Sequence, residues 1–338
     1  MGTTVEKLEY MLDTKSMIKD AIISKGVEVT EDDTFRSYVN KIEEIPTNIV
    51  EEVVTSSKYG ATMDNFLGDV DENGTYIAPS NPANIVFSGA TNIGEYALYR
   101  AFNYETPVES VTFPDVENLT NGYSLNECFY FSIYLKSLSF PKLKEITGKG
   151  IMSNACYYAQ RLETISFPLL EKIYTGMYGG YSFNYAFYNC SDLKLASFPN
   201  LVTITDEGVF NEAFYNCTSL ESADFSKLSY ISSSSGGFSK TFYGCSKLKS
   251  VNFDSLQSMY ADMQGCFRNC TSLTKISFPS LNNLGSQRFG YSSSTYMFGG
   301  CTNLTEIHFR ADMQSTIENY SGYADKWGAT NATIYFDL

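Results

Sequence analysis

The sequence predicts a repeat solenoid, and three observations predict it. First, an aliphatic residue, any residue and then Phe recur ten times, with Phe at 87, 113, 140, 167, 198, 225, 253, 278, 309 and 336, each 25 to 31 positions after the last. A unit of that length holds a strand, a turn and a return segment but cannot bury its own apolar face, so neighbouring units must stack. Second, the repeats align letter for letter: AFYNCSDLKLASFPNLVTI from Ala186, AFYNCTSLESADFSKLSYI from Ala213 and TFYGCSKLKSVNFDSLQSM from Thr241. Their consensus is F-x-x-C-x-x-L-x-x-I-x-F-P-x-L-x-x-I. Third, 43% of residues are apolar and the 338 positions include 24 Phe and 26 Tyr. That supply suffices for a continuous core and excludes disorder.

Residues 1–48 follow other rules. TTVEKLEYMLDTKSMIKDAIISKG is predicted helical with Thr4 and Thr14 as caps, Val5, Leu8, Leu12, Ile18 and Ile22 apolar and Gly26 as its stop. A second short helix starts at Thr34, carries Phe35, Tyr38 and Ile42, and closes at Pro46. Residues 49–81 are a linker and hairpin. Within it D-V-D-E-N-G, Asp69 to Gly74, matches the first half of a calcium loop, with Asp69, Asp71 and Asn73 as oxygen donors, but the twelfth position is Ser80 rather than Glu. A hairpin between FLGDV and TYIAP explains the same letters, because Asn-Gly is a preferred two-residue link.

From residue 82 to 338 each L-x-x-I-x-F alternates as a short strand does, aliphatic and Phe side chains inward. The following Pro (Pro114, Pro141, Pro168, Pro199, Pro279) has no N–H and ends the ladder. Leu143, Leu170, Leu201, Leu228, Leu256 and Leu281 carry the apolar face round the bend. Cys190, Cys217, Cys245, Cys270 and Cys301 share one slot and predict an inward column of free thiols rather than a zinc site or disulfides. Asn189, Asn216 and Asn269 open N-C-S or N-C-T triplets and read as turn residues. A capping repeat is expected from about residue 311, with Trp327 in a helical turn and Ile334 and Phe336 inward in the tenth strand.

This grammar resembles the leucine-rich repeats of the BspA type, found in surface proteins of gut, oral and treponemal bacteria. The resemblance implies an α/β leucine-rich-repeat right-handed solenoid with one parallel β-sheet of about ten short strands, roughly 45 Å long at the usual strand spacing. Early repeats depart from it, with Tyr104 and Tyr130 read in place of Asn or Gly and Glu105, Ser132 and Ala159 in the Cys slot. The small helical segment resembles the amino-terminal part of tail-associated proteins of phages and prophages of gut Firmicutes, through T-K-x-x-I-K-x-A-I-x-x-K-G-V and D-T-F-R-x-Y.

Function must then lie on a surface. The net charge of −14 argues against nucleic acid, which needs clustered Lys and Arg. The one histidine, His308, is expected at an outward, solvated strand position, and no G-x-S-x-G, phosphate loop or H-E-x-x-H occurs. No cofactor is implied. Two surfaces are candidates. On the strand face, Glu109, Lys136, Glu163, Lys194, Glu221 and Lys249 alternate in sign as a register device, beside small polar columns that include Ser137, Ser139, Thr164, Ser166 and Ser222. The other candidate is the set of Tyr-, Gly- and Ser-rich loops, where Tyr178, Tyr181, Tyr185, Phe289, Tyr291 and Tyr296 are the expected ligand contacts. The two 31-residue intervals fall in the loops that contain these six.

The expected role is a non-enzymatic recognition or adhesion protein that binds a bacterial or host surface protein or glycan. A phage tail is the leading setting, as a virion component and a homotrimer if a fibre. A bacterial cell-surface adhesin or a purely structural tail part are the alternatives, and a glycan-cleaving enzyme a remote one. An amino terminus without an apolar run favours the virion and gives no expectation of membrane insertion.

Overall fold

The computed structural model describes residues 83–338 with breaks at 88, 105–106, 175–179, 206, 233–235, 286–288 and 291, together with Lys19 and the pairs 69–70 and 76–77. Apart from Lys19, which is helical, the helices expected over 1–48 lie outside the described residues.

Each L-x-x-I-x-F stretch forms a short strand, and successive strands pair in parallel without slippage through the middle of the array. Ser110, Ser137 and Thr164 align, as do Val111, Leu138 and Ile165. Seven strands from Ala83–Val86 to Ser250–Asn252 make one sheet. Lys275–Phe278, Glu306–Phe309 and Thr333–Phe336 extend the series to the ten expected. The ten Phe residues that mark the period form one stacked column from Phe87 to Phe336, with neighbouring centroids 4.6 to 6.2 Å apart. Phe336 at the end is only partly buried.

The expectation of one sheet is corrected: there are two faces of parallel strands. The closing L-x-x-I of each repeat forms a second seven-stranded sheet, from Asn118–Leu119 to Asn283–Leu284. The corner between the sheets is a tight turn in which the Leu N–H bonds back to the Phe carbonyl, as in Leu201 to Phe198 at 3.1 Å. Pro199 sits at the second position of that turn, where its fixed φ is an advantage.

The F-x-x-C segment is neither strand nor helix, and it makes the third side. It is a run of overlapping turns whose N–H groups alternate in direction. Ala213 bonds back to Phe210 and Phe214 forward to Thr241 of the next rung, then Tyr215 back to Glu212 and Asn216 forward to Tyr243, at 2.7 to 3.3 Å. Every fourth residue is left-handed, as Gly208, Glu212 and Asn216 are at φ 58°, 52° and 54°. That requirement explains Asn189, Asn216, Gly244, Asn269 and Gly300 before the Cys slot, since Asn and Gly tolerate this conformation. At Gly244 a Cβ would also lie 2.1 Å from Asn216 Oδ1, so the Asn side chain of one rung lies over the Gly of the next.

All eight cysteines are buried and unbridged. The five column thiols each donate to a carbonyl of the preceding rung at 2.8 to 3.1 Å, and burial pushes every thiol pKa up, that of Cys301 to about 12. Ser132 fills the same slot, but its buried Oγ has no partner. Replacing it with the residue the slot prefers, Ser132→Cys, is expected to raise stability by about 1 kcal/mol in urea unfolding, because a buried hydroxyl without a partner costs roughly that much.

At the far end Gln314–Glu318 is helical and Lys326–Gly328 forms a 3-10 turn. Trp327, fully buried, packs edge-on against Phe289 at 5.0 Å and donates from Nε1 to the Ser321 carbonyl at 2.7 Å. This is the capping repeat. Before the solenoid, Asp69–Val70 pairs antiparallel with Tyr76–Ile77, the expected hairpin but with five residues, 71–75, between its strands rather than a two-residue link. Asp71 and Asn73 lie outside the described residues, and among the described residues no cluster of His, Cys, Asp or Glu could hold a metal.

Candidate recognition surface

On the strand face the alternating charges pair as the sequence implies. Lys136 bonds Glu109, Lys194 bonds Glu163 at 2.9 Å and Lys249 bonds Glu221 at 2.7 Å. The Lys194 ammonium, bonded to Glu163, holds that carboxyl below its usual range, and Lys249 does the same for Glu221. Ser137, Ser139, Ser166 and Ser222 are partly exposed and Thr164 exposed, in the aligned rows expected of them. The result is a smooth hydroxyl face whose charges are satisfied internally.

His308 departs from expectation. It is only 6% exposed, stacks on Tyr335 at 4.7 Å, and its Nδ1 and Nε2 lie 2.7 Å from Asp337 and 3.1 Å from Glu306. The neighbouring strand of the cap covers what would otherwise be an exposed imidazole. The ring is committed to holding the last strand.

The loop aromatics divide. Phe289 is contradicted as a ligand contact: it is fully buried between Phe278, Phe309 and Trp327, because its loop turns inward under the cap. Tyr296 is partly buried, its hydroxyl donating to Asp325 Oδ2 at 2.6 Å, so it fastens the cap. Tyr178 and Tyr291 lie outside the described residues. Tyr181, 38% exposed, and Tyr185, half-buried, sit at left-handed positions of the turn side with φ 49° and 54°. They point to the surface that the sequence reading missed.

That surface is a ladder of tyrosines. The residue after the Phe of F-x-x-C, a position that Cys156 fills on one rung, is Tyr130, Tyr157, Tyr188, Tyr215 and Tyr243 on five successive rungs. These rings stack nearly parallel with centroids 5.1, 4.9, 4.6 and 4.6 Å apart. All five are partly exposed. Parallel rings at that separation are slipped against one another, so each rung presents an edge and part of a face. Partial burial, with the adjacent tyrosines adding to it, pushes the Tyr188 phenol up to about 12 and raises Tyr130, Tyr157 and Tyr215 as well. Tyr185 packs at the ladder's edge, 5.8 Å from Tyr188 and 6.4 Å from Tyr157.

Beside the ladder, three rungs put aromatic residues where the others use Asn or Gly. Tyr104, Phe131 and Tyr158 adopt φ 52°, 57° and 60°, a backbone that costs a residue with a Cβ roughly 1–2 kcal/mol. Phe131 stacks on Tyr104 at 5.9 Å and on Tyr158 at 4.8 Å, and Tyr104 is 57% exposed. Two ion pairs lie on this side, Arg100 to Glu127 at 2.5 Å and Lys240 to Glu212 at 2.9 Å.

Stacked parallel strands, an unbroken Phe column and a turn side of fixed backbone define a leucine-rich-repeat solenoid. Residues 80–184 and 183–295 match the BspA type leucine rich repeat region, in six copies, and the chain belongs to that family. Similar solved structures include a Treponema pallidum leucine rich repeat protein, with 17% identity over 70% of this chain and 90% of that one and a TM-score of 0.37. A leucine-rich repeat protein of Bacteroides ovatus is 18% identical over 80% and 97%, with a TM-score of 0.20. An internalin (inlF) of Listeria monocytogenes is 16% identical over 73% and 69%, with a TM-score of 0.22. No curated protein matches the chain.

Proposed function

We propose that this chain is a non-enzymatic recognition protein that binds a bacterial or host surface protein or glycan with the turn side of its solenoid. The observation that supports this is the five-rung tyrosine ladder, a chemically uniform contact strip of rings that offer area at low entropic cost and hydroxyls that offer hydrogen bonds. The eight thiols lie in the core and His308 in the cap, away from this strip.

The setting we infer is a phage tail, hence a virion component, on the resemblance of the amino-terminal letters alone. A bacterial surface adhesin is the alternative setting. Sedimentation of the full chain separates these in part: a trimer fits a tail fibre and a monomer argues against one. Recognition itself is tested by flow cytometry of the labelled protein on intact gut bacteria and on host epithelial cells. Saturable binding to a few strains or to host cells is the expected result. Binding to none would make a purely structural component the better account.

A further inference from the structure

Resting on that reading, the ligand class and the site can be narrowed. The ladder repeats one chemical group at one spacing along one axis, and its rungs are 4.6 to 5.1 Å apart. A surface that repeats by translation fits a ligand that repeats by translation. A folded protein partner has no such period, whereas an extended polysaccharide advances by about one sugar per rung. The rings present slipped faces with negative π-density to the C–H bonds of a pyranose, and ring edges and phenol oxygens to its hydroxyls. Charge beside the platform points the same way: Arg100 with Glu127 and Lys240 with Glu212 neutralise one another, and Arg268, the cation at the far end of the ladder, donates to the Ser293 carbonyl.

The left-handed aromatics mark where along the ladder the contact is made. Asn189, Asn216 and Asn269 fill this left-handed slot on later rungs, yet three consecutive rungs place Tyr104, Phe131 and Tyr158 there. Left-handed backbone is shared with Arg100, Glu127, Glu212 and Lys240; what sets these three positions apart is that consecutive rungs place stacked rings there. These three rings widen the ladder at Tyr130 and Tyr157 into a two-column platform. We propose that Tyr104, Phe131 and Tyr158, together with Tyr130, Tyr157 and Tyr188, form a platform that binds a neutral polysaccharide chain running along the solenoid axis.

The test is a triple variant that installs the residue of later rungs of this chain, Tyr104→Asn, Phe131→Asn and Tyr158→Asn. It relieves the left-handed strain and so should keep the wild-type melting temperature. Binding of wild type and variant to a strain that the wild type binds is measured before and after periodate oxidation of surface sugars, at low and high salt. The proposal expects salt-independent binding that falls at least tenfold in the variant and on oxidised cells. Binding that survives periodate would show a protein ligand, and would overturn the polysaccharide assignment while leaving recognition intact. Periodate-sensitive binding retained by a folded variant would overturn the platform. Binding that collapses with salt would overturn the neutral ligand. If the wild type binds no strain or host cell, recognition and platform fall together.

Discussion

Raising the pH from about 7 to about 9.5 is expected to unfold the solenoid, through the thiols rather than any exposed charge. An unfolded cysteine ionises near pH 8.5. Here all eight are buried and their folded pKa values are raised by desolvation. A raised folded pKa means that the native state keeps protons the unfolded chain has lost. The stability this represents is intact below the unfolded pKa and is lost as pH climbs toward the folded one. Each group contributes on the order of 1 kcal/mol by pH 9.5, so the eight together remove on the order of 5–10 kcal/mol. That is comparable with the whole stability of a typical domain. Urea unfolding under reducing conditions across this range measures it. A midpoint that stays level to pH 9.5 would contradict a dry thiol column.

Truncating the middle of the Phe column is the second large effect. Phe198 is fully buried, stacks on Phe167 and Phe225 at 5.5 and 5.2 Å, and meets Phe183 and Phe210 edge-on at 5.9 and 5.2 Å. Phe198→Ala removes the transfer energy of the ring and leaves a cavity that rigid rungs on both sides cannot close, a loss of about 3–5 kcal/mol. Because each rung contacts only its neighbours, the gap also weakens coupling between the two halves, and unfolding is expected to separate into two transitions. The same change at Phe336, partly exposed at the column's end, should cost less than half as much and leave a single transition. Equal losses at the two positions would argue against a continuous column.

The repeat period, strand positions, inward Phe and Cys columns and cross-rung ion pairs were legible because each follows from a side chain's polarity at a fixed place in the unit. Lys194 with Glu163 is such a case: opposite charges one rung apart in the same column must meet if the register is unshifted. The second sheet was not legible, because two paired residues such as Glu145–Ile146 carry too little alternation to read as a strand. Nor was the turn side, since its order lies in left-handed backbone every fourth residue. Tyr104, Phe131 and Tyr158 obscure the Asn/Gly signature there. The tyrosine ladder was visible in AFYNC, AFYNC and TFYGC, but the varying loops drew attention to Phe289, whose inward turn depends on the cap. His308 was misplaced for the same reason: Tyr335, whose strand covers it, lies 27 residues further on.

The central claim is that recognition belongs to the turn side and not to the strand face. Two folded variants compared on the same bound cells test it most directly. One is the Tyr104→Asn, Phe131→Asn, Tyr158→Asn protein, and the other carries Ser139→Glu, Ser166→Glu and Ser222→Glu on the strand face. The account predicts that the first loses binding and the second keeps it. Loss by the serine variant with retention by the asparagine variant would place recognition on the strands and contradict it.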